Sequence, residues 1–533
     1  MMDNGGSLET LMEEKGEETE ECFQNEIPQR RPIRICMVSD FFFPGLGGVE
    51  MHIYSLAQCL LQMGYKVIVV THFRGERHGV RYMTGGLKVY YLPFHPFHDN
   101  CTLPTIFSFF PLIRKILIRE RIDIVHGHQA TSNLAHETIF HARTMGYKVL
   151  YTDHSLFGFA DAACIHINKL LKFFLSDIDH AICVSHTNKE NLVLRAALRP
   201  TNVSVIPNAV DATRFIPDVS RRPPPPRLNV IILARLTYRK GVDLLVDVIP
   251  HVCRREPNVH FIIGGDGPKR ILLEEMRERH RLHDRMELLG AVPHANVCSV
   301  LQRGHIFLNA SLTEAFCIAI VEAAACGLLV VTTAVGGVPE VLPSEMVRLA
   351  EPSWQSLTEE VVGAVRQVVE GQVEADRFHQ RVAEIYSWQD VARRTEEVYR
   401  KVWAAPRLGI LEHFSRFLSS GPFSGLLFAI FAALDFFFWS VLEWLQPRED
   451  IEIAPDFPLE SWALEEKEKE AEDREFHQQV VQQQRRRRET LERSMGGEQP
   501  EEGVSEPSTA EEAPVAASHS TEKGRETIPI DDR

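Results

Sequence analysis

No C-x-x-C pair occurs in the 533 residues, which argues against both a zinc knuckle and a dithiol redox centre. The cysteines are scattered singly. Cys36, Cys59, Cys183 and Cys317 lie inside apolar runs and read as buried reduced thiols, which suit a body facing the cytosol. The first 31 residues hold no apolar run, so no signal peptide is expected there. Excess positive charge is missing too: the formal net charge is −15, against a general nucleic-acid binder. The acidity is uneven, concentrated in residues 1–31 and after Gln446, while the middle is nearly balanced. No G-x-G-x-x-G occurs at the glycine-rich loop Gly45–Glu50, so the nicotinamide fingerprint is not met. No acidic metal-binding motif accompanies His126 and His128, and neither metal nor other cofactor is expected. With a cytosolic body, the glycosylation spellings at Asn100, Asn202 and Asn309 are expected to stay unmodified.

What is present is 44% apolar content and length for two to three domains. Residues 1–31 are polar and aperiodic and are expected to be disordered. Strands are then expected at Ile33–Asp40, Tyr65–Thr71, Leu87–Leu92, Ile122–His126, Lys148–Thr152, His180–Val184 and Val203–Ile206, with helical stretches such as His52–Met63 between them. Such alternation implies a parallel sheet covered on both faces. Arg221-Arg-Pro-Pro-Pro-Pro-Arg227 interrupts it, since four prolines favour an extended linker. The alternation restarts at Leu228–Ala234 and runs through His260–Gly264, Met286–Leu289, His305–Leu308 and Leu328–Thr332. The expected class is α/β: two doubly wound Rossmann-like domains, 32–215 and 228–385, facing a cleft. A Pro-rich linker at 216–227 joins them, and a closing helix with a further linker fills 386–420.

Residues 421–446 stand apart. As a helix, Pro422–Leu445 is roughly 36 Å long, enough for a hydrocarbon core of about 30 Å. Asp435 near its middle costs about 2.5–3.5 kcal/mol, and each Leu, Ile, Phe or Val returns roughly 0.3–0.6 kcal/mol. One transmembrane helix is the expectation, with Asp435 turned toward a partner helix rather than lipid. Lys401, Arg407 and Arg416 precede this segment and Arg448 alone follows closely, so the positive-inside bias places the body in the cytosol. The tail 447–533 is charged and expected to be largely disordered.

Four motifs carry chemistry. In Ser311-Leu-Thr-Glu314-Ala-Phe-Cys-Ile-Ala-Ile-Val-Glu322, Glu314 sits at a helix entrance after a strand and Glu322 about two turns along. N–H groups of Phe316, Cys317 and Ile318 would point at a bound diphosphate. Carboxylates beside a diphosphate are repelled, so the two glutamates suit sugar and ribose hydroxyls. Arg235 and Lys240 end the first strand of the second half, where two fixed cations would stabilise a departing nucleoside diphosphate without a metal. Gly47 and Gly48, and Gly265 within Gly264-Gly-Asp-Gly267, allow backbone to approach a ligand closely. His154, in Thr152-Asp-His-Ser155, would face the cleft opposite the donor and bond a sugar hydroxyl or the acceptor.

Taken together, Glu314 with Glu322, the Arg235/Lys240 pair, the Gly47-Gly48 loop and the His154 motif resemble family 4 retaining glycosyltransferases of the GT-B fold, over roughly residues 33–403. The wording of Tyr151–Asp161, Val205–Asp211, Tyr238–Gly241 and Ser311–Cys317 is similar to a membrane-bound branch of that family. That resemblance implies UDP-GlcNAc as donor, phosphatidylinositol as acceptor and the first step of GPI-anchor synthesis, on the cytosolic face of the endoplasmic reticulum. It further implies that Arg235 and Lys240 hold the diphosphate, Glu314 the sugar and Glu322 the ribose, that Gly47 and Gly48 pack against the donor, and that His154 lines the sugar pocket. It implies no metal, and it implies membrane partners that are further members of a transferase complex.

Overall fold

The computed structural model describes residues 31–456 apart from 46, 99 and 159–161. The expected disorder of 1–31 falls almost wholly outside the described residues, as does that of the tail from 457 onward.

Two sheets form the body. The first contains β1 (Arg34–Val38), β2 (Lys66–His72), β3 (Gly79–Met83), β4 (Leu87–Leu92), β5 (Ile124–His128), β6 (Lys148–Asp153), β7 (His180–Cys183) and β8 (Val203–Val205), in the order β8-β7-β6-β5-β1-β2-β4-β3. The second contains β9 (Leu228–Leu233), β10 (Val259–Gly264), β11 (Met286–Gly290), β12 (Ile306–Asn309), β13 (Leu329–Thr333) and β14 (Val347–Ala350), in the order β11-β10-β9-β12-β13-β14. Within these two sheets all pairings are parallel except β3 with β4, and a separate two-stranded antiparallel ribbon pairs Pro96–His98 with Cys101–Thr102. The central strands are apolar without alternation, as strands covered by helices on both faces must be. Every residue of β1 is buried, and so is nearly all of β9. No such apolar run marks β3, whose residues are mostly exposed; that edge strand was therefore not anticipated.

Two chain segments run between the lobes. Residues 216–227 lie along the second lobe, where Arg222 donates to the carbonyls of Cys326 and Gly327 (3.4 and 3.0 Å). The helix Trp388–Ala404 returns to the first lobe: Tyr65 donates to Glu396 (2.6 Å), Arg394 donates to the Val205 carbonyl (2.7 Å), and the Tyr399 hydroxyl lies 2.7 Å from His126 Nδ1.

The C-terminal helix spans Pro422–Leu445 and is long and apolar enough to cross a membrane. Asp435 is fully buried, as expected of a charge kept from lipid. It does face a helix, Asn133–Thr144 of this chain's first lobe: His141 Nδ1 lies 2.8 Å from one carboxylate oxygen and Thr144 Oγ1 donates to the other at 2.5 Å. Residues 447–456, expected as the start of the disordered tail, are placed against the first lobe, with Ile451 and Ala454 buried.

Candidate active site

Each motif sits just past the carboxyl end of a parallel strand, where doubly wound sheets leave room for ligands. β9 delivers Arg235 and Lys240, β12 delivers Glu314, β10 leads to Gly265, β1 leads to Gly47 and Gly48, and β6 delivers His154. Two glycines make the crowding possible. A Cβ on Gly241 (φ +70°) would fall 1.7 Å from the Ala310 carbonyl oxygen, and one on Gly265 (φ +140°) would fall 1.8 Å from that of Ala234. Loops from three strands therefore converge beneath the cleft.

Lys240 Nζ and the Glu314 carboxylate are in direct contact, and Ser311 Oγ donates to the same carboxylate at 2.8 Å. Burial alone would lower the Lys240 pKa, but the Glu314 charge, the nearby Cys317 and the hydrogen bond to Glu314 together raise it, so the ammonium is held charged. Arg235 is exposed. Its charge reaches both Lys240 and Glu50, the buried carboxyl in the first turn of the helix Gly48–Gln62. Burial raises the Glu50 pKa; its own backbone N–H, Arg74 and Arg235 pull the other way.

The helix Ile318–Ala325 begins behind Glu314. Cys317, with φ +70°, precedes it and provides no side-chain cap, which leaves the helix amino end available to an anion. Burial, then the Glu314 charge, pushes the Cys317 thiol up to about 12, so it is no nucleophile. Phe316 is buried against Tyr386 with ring centroids 5.6 Å apart, so only its backbone can serve a ligand. Glu322 lies in the second turn; burial pushes its carboxyl up to about 7, and Arg214 offsets that only in part. Across the cleft, a Cβ on Gly48 would lie 3.4 Å from Ile318 Cδ1, so the glycine loop of one lobe meets the helix entrance of the other. The Glu340 carboxylate adds a second bridge, accepting from the N–H groups of His186 and Thr187 (2.7 and 2.9 Å) at the start of the helix His186–Ala196.

His154 is not alone. Its ring meets that of His52 edge-on (4.6 Å between centroids), and its Nε2 is 3.4 Å from His128 Nδ1. His52 bonds Asn208 through Nδ1 (2.8 Å) and lies beside Trp388. His126 is used up structurally, between Tyr399 and Thr152 Oγ1 (2.7 Å each). Burial lowers the pKa of all four, to about 4 for His52 and about 3 for His126, so the cluster is neutral near pH 7. His52, His128 and His154 present ligand nitrogens within 4.8 Å of one another. A tetrahedral zinc site with bonds of about 2.0–2.1 Å would draw them to about 3.4 Å. His52 carries no signal in the sequence because it sits inside an ordinary amphipathic helix, where a polar residue marks nothing, and Glu50, though it closes the glycine motif, gave no sign there of its burial.

Comparison with known proteins identifies the family and the fold. Residues 72–161 match a family model described as PIGA (GPI anchor biosynthesis), and residues 218–385 match one described as glycosyl transferases group 1. The chain is 58% identical to a phosphatidylinositol N-acetylglucosaminyltransferase subunit of Arabidopsis thaliana, over 80% of this chain and 95% of that protein. It is 53% identical to the human protein of the same name, over 80% and 88% of the two chains. Among solved structures it is similar to sucrose-phosphate synthase from Thermosynechococcus elongatus (TM-score 0.61, 20% identity, 71% of this chain and all of that one). It is also similar to Anabaena HepE in complex with UDP (TM-score 0.55, 17% identity, 69% and all). At such identities the solved structures show the fold alone, and that fold is GT-B.

Proposed function

The chain belongs to the family of these phosphatidylinositol N-acetylglucosaminyltransferase subunits, and from that premise we propose how its cleft performs the transfer. It is a glycosyltransferase that moves N-acetylglucosamine from UDP-GlcNAc to phosphatidylinositol, the first step of GPI-anchor biosynthesis, with retention at the anomeric carbon. As the sugar bond breaks, charge collects on UDP. Arg235, Lys240 and the N–H groups of Phe316, Cys317 and Ile318 neutralise it in place of a metal. Glu314 takes a sugar hydroxyl and Glu322 the ribose. Gly47, Gly48 and Gly265 let backbone approach the donor, and His154, neutral, lines the sugar pocket. Attack comes from the face the leaving group departs, with a donor phosphate oxygen receiving the acceptor proton.

The observation that carries this reading is the contact of Lys240 with Glu314 at the amino end of the helix Ile318–Ala325, opposite Gly48. It also sets a competition: Lys240 must give up part of its bond to Glu314 to hold a phosphate, and that frees Glu314 for the sugar. The curated relatives are named as subunits, and the chain works with other subunits at the endoplasmic reticulum membrane, its catalytic body on the cytosolic side. Labelled UDP-GlcNAc supplied to membranes bearing the chain tests the substrate assignment. Label is expected in an N-acetylglucosaminyl-phosphatidylinositol, and label in a dolichol-linked glycan would overturn it.

A further inference from the structure

Glu314 stands on the second lobe and His154 on the first, yet one run of hydrogen bonds joins their two loops. On the second lobe the Gly337 N–H donates to the Glu314 carbonyl (3.0 Å), and the turn Val338–Glu340 follows directly. Val338 and Val341 are buried and fix that turn, while Glu340 is exposed at its end. The Glu340 carboxylate crosses to the first lobe. It accepts from the N–H groups of His186 and Thr187 (2.7 and 2.9 Å) and from the Thr187 hydroxyl (2.6 Å). The next residue, buried Asn188, donates to the Ser155 carbonyl and to the Asp153 carboxylate, both at 3.1 Å, and those two residues flank His154.

The two lobes also fit closely on either side of this contact. A Cβ on Gly336 would fall 2.4 Å from Leu156 Cδ1, and one on Gly337 would fall 2.4 Å from Ser185 Oγ. A helix leaves its first N–H groups without intrahelical partners. In the helix His186–Ala196, Ser185 Oγ accepts from the Asn188 N–H (3.1 Å), but the N–H groups of His186 and Thr187 are served from the other lobe. A carboxylate there also sits at the positive end of the helix, where negative charge is favoured. Glu340 and His186 are both exposed, so water can take over these bonds when the lobes part. The contact is therefore reversible rather than a permanent weld.

We infer that Glu340 is a positioning residue: by closing on the amino end of the helix His186–Ala196 it sets Glu314 in register with His154 for transfer. This rests on the proposed function in that Glu314 and His154 are the groups that face the donor sugar. Misplacing a reacting group by about 1 Å can cost on the order of 10²-fold in rate, so a modest contact at this point has leverage.

A double-mutant cycle on the full chain in its assembled complex tests it. Glu340→Gln keeps the shape but loses the charge, and is expected to lower kcat by about tenfold. Binding of UDP alone is expected to stay at the native value, because the second lobe holds the nucleotide. Thr187→Val removes the hydroxyl on the first lobe and is expected to lower kcat by roughly threefold. The double variant is expected to lose no more than Glu340→Gln does alone, since both changes break one contact. Hydrogen exchange gives a readout apart from activity: the segment holding His186 and Thr187 is expected to exchange faster in Glu340→Gln than in the native chain. Native kcat in Glu340→Gln, losses that multiply in the double variant, weakened UDP binding or unchanged exchange would each overturn the inference. Sugar label appearing in another lipid would sink the proposed function instead and leave this cycle as it stands.

Discussion

The second lobe lines the cleft with charge: Lys240 against Glu314, Arg235 exposed beside them, and the open amino end of the helix Ile318–Ala325. The first lobe offers the small surface of Gly47 and Gly48 and the neutral ring of His154, backed by buried His52 and His128. Two sheets of like architecture thus divide the work. Fixed charges in a site walled by protein act without reorganising, and on the proposed function that lobe receives the diphosphate. Buried imidazoles offer hydrogen bonds and shape without charge, which suits the sugar and the approach of a neutral hydroxyl.

The comparison breaks first if the charged side does not matter. Arg235→Ala is expected to lower kcat by about 10²–10³ with the fold intact, since one preorganised donor to the departing charge is lost; single-turnover transfer in the assembled complex measures it. Glu314→Gln separates the two duties of that residue. Transfer is expected to fall on the order of 10²-fold, while UDP binds at least as tightly, because Lys240 no longer shares its charge with a carboxylate. Calorimetry with UDP alone reads the second effect, and weakened UDP binding would move Glu314 from the sugar to the nucleotide.

On the neutral side the effects are smaller. His154→Ala removes a hydrogen bond worth about 1 kcal/mol, or roughly five- to tenfold in kcat/KM. Because burial holds these imidazoles below their ordinary range, the pH profile of transfer between pH 6 and 8 is expected to stay where it was. A shifted profile would make His154 a proton carrier.

Glu322 sharpens the contrast through stability. Burial raises its carboxyl from 4.5 to about 7. The folded state thus retains a proton that the unfolded chain has released, and stability falls as pH rises through that window. Glu322→Gln lacks this dependence, so its melting temperature relative to the native chain is expected to gain between pH 4.5 and 7. A constant difference across that range would show that the Glu322 carboxyl titrates alike in the folded and unfolded chains, so that burial does not raise it.

Much of this division could be read from the chain itself, because strand ends announce themselves. Glu314, Arg235 and His154 each follow a short apolar run, and the rule that ligands gather beyond such runs brings them together before any coordinates exist. Contacts between helix faces leave no comparable trace. His52 reaches His154 from a helix of ordinary pattern, and Asp435 finds His141 across 294 residues of chain. The length and apolarity of Pro422–Leu445 were legible, but its docked side was not, since hydropathy records what a helix tolerates and not what it touches.

The most direct test of the charged lobe is a structure of the chain with UDP bound. The diphosphate oxygens are expected within hydrogen-bond distance of Arg235, Lys240 and the backbone N–H groups around Cys317, with Lys240 drawn off Glu314. A diphosphate seated elsewhere, with the Lys240–Glu314 contact unchanged, would contradict the account.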